Sequence, residues 1–157
     1  MNDLIIRSYK SSDNQEIKDL YKLASVESEI GFRDGPWYKD FDNMENFYMD
    51  KGDFLVGVID NKIVAMIGLE KSLVTVGHIR RMRVHPEYRR RGYAQALLKE
   101  LEDRAVKKGF TELRLRTSTL QIMAQRLYEK NGYSKMKTKK EFYSEGPFEV
   151  IWYRKLL

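Results

Sequence analysis

The chain has 157 residues, 42% of them hydrophobic and 33% charged, so its composition predicts one globular domain, residues 1–157, with a sizeable core. The lack of cysteine excludes disulfides, thiolate metal sites and a cysteine nucleophile, and two histidines are too few for a histidine-rich metal site. The formal charge of +6 fits either a solvated lysine-rich surface or attraction to an anionic ligand such as CoA or to nucleic acid.

The sequence contains no feature that directs the chain to a membrane. Its N-terminal stretch lacks the apolar core of a secretory signal, and no apolar run is long enough to cross a bilayer. We therefore expect a cytoplasmic protein with no membrane partner and no bound metal.

Hydrophobic spacing and turn residues in the first half of the chain predict a strand, a capped helix and a three-stranded meander. The meander begins with a hairpin at the tight turn Asp60–Asn61. The predicted elements are residues 4–9, a helix capped at Ser12 or Asp13, 53–60, 62–70 and Val74–Val84.

The segment between this helix and the meander, residues 27–50, is rich in aromatic side chains. A short helix is predicted around Met44 to Met49. Two interpretations of the aromatic cluster stay open: a mobile lid over an acceptor pocket, or side chains that cover the sheet. The cluster consists of Phe32, Trp37, Tyr38, Phe41, Phe47 and Tyr48.

The third strand of the meander alternates imperfectly. Ile79 falls on one face, whereas Met82 and Val84 fall on the other. A one-residue bulge between them would bring all three to the same face. Such a bulge would also leave backbone groups that can bind a ligand.

The second half of the chain predicts two helices that alternate with strands, followed by a C-terminal hairpin. Ser118 and Gln121 have the spacing of a capping box for the second helix. The whole order is β-α-(α)-β-β-β-α-β-α-β-β, which predicts an α+β fold with helices on both faces of a sheet. The elements are a helix over about 92–108 that ends at Gly109, a strand over 111–117, a helix that ends at Asn131–Gly132, and strands over 133–143 and 148–156 joined by the turn S-E-G-P.

The stretch V-H-P-E-Y-R-R-R-G-Y-A, from Val84 to Ala94, predicts a phosphate-binding loop. Pro86 ends the strand. Gly92, immediately before a helix, permits a ligand to approach the backbone more closely than a side chain would allow. A helix N-terminus presents unpaired N–H groups and positive potential to an anion. Three consecutive cations add to this potential: Arg89, Arg90 and Arg91.

Two motifs together carry a family resemblance. R-R-R-G-Y-A, residues 89–94, fits the pattern [QR]-x-x-G-x-[GA], and A-Q-R-L-Y-E-K-N-G-Y, residues 124–133, fits A-x-x-L-Y-x-K-x-G-[FY]. In this order, separated by one helix and one strand, they resemble the acyl-CoA site of the GNAT superfamily of N-acetyltransferases. The resemblance covers about Phe54–Tyr133 firmly and the two ends loosely.

The resemblance implies the family's fold, an α+β structure with a mixed, mostly antiparallel central sheet of six to seven strands and about four helices. It also implies transfer of an acetyl group from acetyl-CoA, as co-substrate, to a primary amine by direct attack on the thioester. Gln121 stands where relatives often have asparagine. The implied acetyl-CoA-binding residues are Met82, Arg83, Val84, Arg89, Arg90, Arg91, Gly92, Tyr93, Ala94, Gln121, Ala124 and Tyr128.

The same resemblance places catalytic roles on two side chains. Tyr128 is at the position that gives a proton to the leaving thiolate, although a core tyrosine would also fit there. His78 is at the position where many relatives have a glutamate that removes the proton of the amine. An imidazole can also serve as this base. Glu70, water without a dominant base, and a purely structural histidine are the alternatives.

Two other classes of function compete with the enzyme. A non-catalytic acyl-CoA-binding regulatory module would keep the same fold without turnover. A nucleic-acid-binding protein would use the arginines, but the sequence has no recognisable binding motif, so nucleic acid is not the expected partner. The acceptor stays open, as a small molecule, a protein N-terminus or a lysine, and so does the oligomeric state, a homodimer included.

Overall fold

The computed structural model describes residues 3–26, 36–143 and 146–157. Phe32 and residues 144–145 of the predicted S-E-G-P turn lie outside the described residues. The strands and helices are β1 (Ile5–Ser8), α1 (Asn14–Val26), β2 (Asp53–Ile59), β3 (Lys62–Leu73), β4 (Val76–Val84), α2 (Tyr93–Lys107), β5 (Glu112–Ser118), α3 (Ile122–Lys130), β6 (Ser134–Tyr143) and β7 (Gly146–Leu156). Short helical turns cover Ser11–Asp13, Pro36–Asp42, Glu45–Met49 and Pro86–Tyr88.

The strands form one mixed sheet in the order β1-β2-β3-β4-β5-β7-β6. Its pairs are antiparallel except β4–β5, which is parallel because α2 crosses over between them. Asp60 and Asn61 both have a positive φ, of 48° and 64°, in the two-residue turn that joins β2 to β3. The predicted α+β fold, with six to seven strands and about four helices, is confirmed.

Helices cover both faces of the sheet and bury a separate core on each. On the face that we call the α2 face, Leu97, Leu98 and Leu101 of α2 are fully buried against β-strand side chains and Tyr128 of α3. On the opposite α1 face, Ile17 of α1 packs with residues of β2 and β3. The division follows the strand period of two, which sends alternate side chains to opposite faces.

The aromatic segment contributes to the α1-face core. Phe41 and Tyr48 are buried there, and Phe47 is half-buried against the same cluster. For these three side chains the sheet-covering interpretation holds. The short helix predicted around Met44 to Met49 is present as the turn Glu45–Met49.

The capping box predicted at Ser118 and Gln121 is wrong. Helix α3 begins at Ile122, and Gln121 is its N-cap residue without a side-chain capping bond. Ser118 remains in β5, paired with Val150, and its hydroxyl accepts the Leu120 N–H at 3.1 Å. Pairing with β7 extends the strand one residue further than the local sequence indicates, and this moves the helix start.

The bulge predicted in β4 is present at Arg81. Met66 and Gly68 of β3 lie opposite Arg83 and Arg80, so three steps along β4 match two along β3, and Arg81 has a φ of 59°. As a result Ile79, Met82 and Val84 all pack on the α2 face.

A buried ion pair holds the bulge in place. Arg81 donates through Nε and Nη2 to the Asp40 carboxylate, at 2.9 Å each, and through Nη1 to the Tyr21 hydroxyl at 2.9 Å. The Tyr48 hydroxyl donates to the same carboxylate at 2.5 Å. The two charged side chains are 9% and 2% exposed. The turn Pro36–Asp42 therefore fixes the backbone of β4.

We predict that Asp40→Ala lowers the free energy of unfolding by about 3–5 kcal/mol, because it leaves the buried Arg81 guanidinium without its counter-charge. Urea denaturation measures this loss. Asp42→Ala is the matched control in the same turn, where a 72% exposed carboxylate pairs with Lys18. That variant should lose less than about 1 kcal/mol. Equal losses in the two variants would contradict the importance of the buried pair.

Candidate active site

A cleft opens where β4 and β5 part. Their parallel pairing runs from Val76–Glu112 to His78–Arg114 and continues no further in the part of the chain that the structure describes. Beyond that point β4 remains paired with β3, and β5 remains paired with β7. Because each strand keeps its outer neighbour, the two inner edges diverge and expose backbone groups between them.

The β4 edge of this cleft carries hydrogen-bond donors. The His85 N–H donates to the Val64 carbonyl of β3 at 2.8 Å. Since backbone groups alternate along an extended strand, the N–H groups of Val84 and Met82 point the other way, toward the cleft. The Arg83 side chain leaves toward the α1 face, where its guanidinium lies 4.7 Å from the Tyr21 ring centroid.

At its open end the cleft meets the N-terminus of α2. Gly92, with a φ of 81°, precedes the first turn that holds Tyr93 and Ala94. A side chain at Gly92 would have no protein atom within 4 Å of its Cβ. The space before the helix is therefore open, and the N–H groups of the first turn face it, as an anion site requires.

The three arginines of the loop have different surroundings. Arg89 donates to the carbonyls of Val84 and Ala24, at 3.3 Å each. Arg91 donates to the Glu87 carbonyl at 3.1 Å. Arg90 is exposed and makes no hydrogen bond or ion pair with the described residues. Two arginines thus shape the loop, and Arg90 is the one available to an external anion.

Helix α3 forms the β5 side of the cleft and carries Tyr128. This side chain is 6% exposed, and its hydroxyl makes no hydrogen bond within the described chain. Burial raises the pKa of Tyr128 to about 12, with the charge of Arg83 acting in the opposite direction. The phenol is therefore protonated at neutral pH. Met82 and Val84 of β4 pack against the core cluster that contains Tyr128, so α3 and the β4 edge border the same cleft.

The other residues predicted on α3 lie near its N-terminus. Gln121 accepts a hydrogen bond from the Thr117 hydroxyl through Oε1, at 2.7 Å, which ties its amide to the end of β5. Ala124 is half-buried against the α2-face core. Both helices that border the cleft thus begin at its open end.

The two candidate bases lie opposite each other on β3 and β4. Glu70 pairs with His78 in the sheet register, and its carboxylate accepts from Arg80 at 2.9 Å. His78 is half-buried at the closed end of the cleft, with its ring 5.8 Å from that of Trp152. Leu69 belongs to the α2-face core, so Glu70 and its cross-strand neighbour point to the α1 face.

Burial and nearby cations change the proton affinity of His78. Its pKa is lowered to about 4, first by burial and then by the charges of Arg80, Arg116 and Arg114. The imidazole is therefore neutral at physiological pH but is a weak base. Two of these arginines are ion-paired, Arg80 with Glu70 and Arg114 with Glu112.

No local sequence pattern indicates the buried pair of Arg81 and Asp40. These residues are 41 positions apart, and Arg81 stood in the sequence as one of several basic residues. The hydrogen bonds that the Tyr21 hydroxyl accepts from Arg81 and Arg83 are also visible only in the structure. Burial acts to raise the pKa of Tyr21, but the charges of Arg83 and Arg81 outweigh burial and lower it.

Within the described ranges, no group of three or more histidine or carboxylate side chains has the arrangement of a metal site. Among the helices described, none combines the length and apolar character that a membrane crossing needs.

Comparisons with a family model and with a known protein both indicate an acetyltransferase. A family model described as the acetyltransferase (GNAT) family matches residues 17–133. An N-alpha-acetyltransferase from Saccharolobus solfataricus is 27% identical over an alignment that covers 98% of this chain and 94% of that protein.

Solved structures show the same fold. An acetyltransferase of the GNAT family from Staphylococcus aureus superposes with a TM-score of 0.86 at 22% identity, covering 99% of each chain. An acetyltransferase from Salmonella typhimurium, solved with its cofactor acetyl-CoA, superposes with a TM-score of 0.76 at 15% identity and covers 98% of this chain and 94% of that one.

We predict that Gly92→Ala weakens binding of CoA by at least about tenfold, because a methyl group enters the open space before α2 and the left-handed φ is lost. Isothermal titration with CoA measures this change. Gly109→Ala is the matched control, since Gly109 has a φ of 90° and equally open surroundings at the other end of α2. Each variant should lose about 1 kcal/mol of stability. Equal affinity of both variants for CoA would remove this loop as the phosphate site.

Proposed function

Because the chain belongs to the acetyltransferase (GNAT) family, we propose that it transfers an acetyl group from acetyl-CoA to a primary amine by direct attack on the thioester. The observation that carries the proposal is the Tyr128 hydroxyl, which is protonated and has no hydrogen-bond partner in the described chain. Its side chain belongs to the core cluster against which Met82 and Val84 of the β4 donor edge pack. A proton donor beside backbone donors is the arrangement that acyl transfer from a thioester needs.

The residues of the cleft fit acetyl-CoA. The first-turn N–H groups of α2, the open space at Gly92 and the free Arg90 would hold the pyrophosphate. The edge from Met82 through Arg83 to Val84 would hold the amide-containing arm by strand-like hydrogen bonds. Gln121 and Ala124 would border the arm on the opposite side. Acetyl-CoA supplies the activated acetyl group.

In the reaction, backbone and phenol act at different atoms. The Met82 N–H, beside the bulge, donates to the thioester oxygen as negative charge develops there. Tyr128 donates its proton to the sulfur as the carbon–sulfur bond breaks and the carbon–nitrogen bond forms. Since Tyr128 lies on the α2 face, the amine approaches from the α1 face, the side of His78 and Glu70.

The burial and the arginines on that side would favour one kind of amine. Arg80, Arg114 and Arg116, which lower the pKa of His78, also lower the pKa of an ammonium group bound beside it. His78, a weak base, accepts a hydrogen bond from the amine and so orients it. Water removes the proton from the amine. An α-amine, with an ordinary pKa of about 7.7–8.0, loses its proton far more readily than a lysine side chain at about 10.4.

We therefore propose the α-amine of a peptide or protein N-terminus as the acceptor. Similarity to an N-alpha-acetyltransferase along 98% of the chain supports this choice. The alternative is the non-catalytic acyl-CoA-binding module, which would bind acetyl-CoA and acetylate no amine.

We predict that Tyr128→Phe lowers kcat by about 10²-fold, because the leaving sulfur loses its proton donor, and changes the Kd for acetyl-CoA little. Steady-state release of CoA thiol and equilibrium titration measure the two quantities. Tyr133→Phe is the matched control, since its ring lies 5.8 Å from that of Tyr128 and its hydroxyl donates to Glu102. Unchanged kcat in Tyr128→Phe would exclude the phenol as the acid.

We predict that a peptide with a free N-terminus and no lysine is acetylated at pH 7 with a kcat/KM about 10²-fold above that of an N-terminally blocked peptide with one lysine. The kcat/KM for the free N-terminus should rise from pH 6 to 8 with the apparent pKa of its α-amine. Product mass and CoA release over this range give both results.

His78→Gln should leave that apparent pKa in place, because the imidazole is already neutral throughout the range. Loss of the rise in this variant would make His78 the general base. A preference for the lysine peptide would overturn the α-amine proposal, and acetyl-CoA binding without any acetylated product would favour the non-catalytic module.

A further inference from the structure

The α1 face of the sheet carries a cationic cluster around Trp152, beyond the strands that α1 covers. Ile151 and Tyr153 belong to the α2-face core, so Trp152 points to the opposite side. Residues directly opposite each other in neighbouring strands share a face. The register places five cations on this surface, which we call the basic face: Arg114, Arg116, Lys137, Lys139 and Arg154.

Two of these cations, Lys137 and Lys139, carry charge with no carboxylate partner among the described residues. Among the described side chains of the basic face, Glu112 is the one carboxylate, and it binds Arg114 and lies 3.8 Å from Arg154. Both lysine side chains are exposed. The Lys137 ammonium instead lies 5.3 Å from the centre of the Trp152 ring.

The basic face begins where the proposed acceptor enters. Its Arg114 pairs with His78 at the closed end of the cleft, and the His78 ring lies 5.8 Å from that of Trp152. The amine approaches on this same face, because the proton donor Tyr128 lies on the other. An acceptor chain that continues past its amine can therefore run across β5, β7 and β6.

We propose that the basic face binds an acidic segment directly after the acetylated residue of the acceptor peptide. The proposal rests on the function proposed above and adds a preference for the sequence of the acceptor peptide. From β4 to β6 the chain crosses three strand spacings of about 4.8 Å, which about four extended residues can span. Carboxylates at positions 2 to 5 of the peptide would thus reach Lys137 and Lys139.

The test compares two decapeptides that have the same free N-terminus and carry either four glutamates or four glutamines at positions 2 to 5. We expect the glutamate peptide to have a kcat/KM at least about tenfold higher at low salt, and the preference to vanish at about 0.5 M salt. Binding of each peptide to the enzyme–CoA complex, measured by fluorescence anisotropy, should show the same preference.

The double variant Lys137→Glu/Lys139→Glu should abolish the preference while it keeps activity on the glutamine peptide. Lys107→Glu/Lys108→Glu makes the same change in net charge at the exposed end of α2 and should retain the preference. Loss of the preference in this control as well would mean that total charge, and not the basic face, selects the peptide, and would overturn the proposal.

The remaining outcomes separate the two proposals. Equal binding and turnover of both peptides would overturn the acidic preference and leave the acetyltransferase proposal standing. Preferential binding of the glutamate peptide without acetylation of either would support the basic face and refute the proposed activity. A single-stranded RNA of equal charge that binds as tightly, with the same loss in Lys137→Glu/Lys139→Glu, would assign the face to nucleic acid and overturn the proposal.

Discussion

Arg81 holds the backbone on which the candidate site depends. A left-handed φ in a non-glycine residue costs of order 1 kcal/mol, and the bulge persists because the guanidinium is fixed by Asp40 and Tyr21. These partners come from the turn Pro36–Asp42 and from α1, which are remote in sequence. The N–H direction at Met82 is therefore a product of how the first third of the chain packs on the sheet.

The bulge and the divergence of β4 from β5 act together. Divergence exposes the inner edge of β4, and the bulge shifts the register so that Met82 and Val84 direct their side chains into the α2-face core. The backbone donors of the same residues are then free to face the cleft. Because α2 and α3 both begin at the open end, the open space at Gly92 and the Tyr128 phenol border the same cleft.

Arginines surround His78 on the face from which we propose that the amine approaches. Arg114 and Arg116 lower the pKa of His78, would lower that of a bound ammonium, and form the inner border of the basic face. In the proposed reaction, one set of charges would favour a neutral amine and an acidic sequence behind it. The weakness of His78 as a base follows from these charges and from its burial, and it shifts the proposed selectivity toward α-amines.

Local sequence determined the order of elements, the Asp60–Asn61 turn, the bulge and the position of Gly92 before α2, since period, turn chemistry and backbone freedom are encoded by neighbouring residues. The two family motifs identified Tyr128 as a candidate proton donor. Tertiary structure alone decided the Arg81–Asp40 pair and left Arg90 free among three arginines. It also kept Ser118 in β5 and gathered the basic face. The Arg81–Asp40 pair, the pairing of Ser118 with Val150 and the basic face depend on groups far apart in the chain, whose contacts no local pattern records.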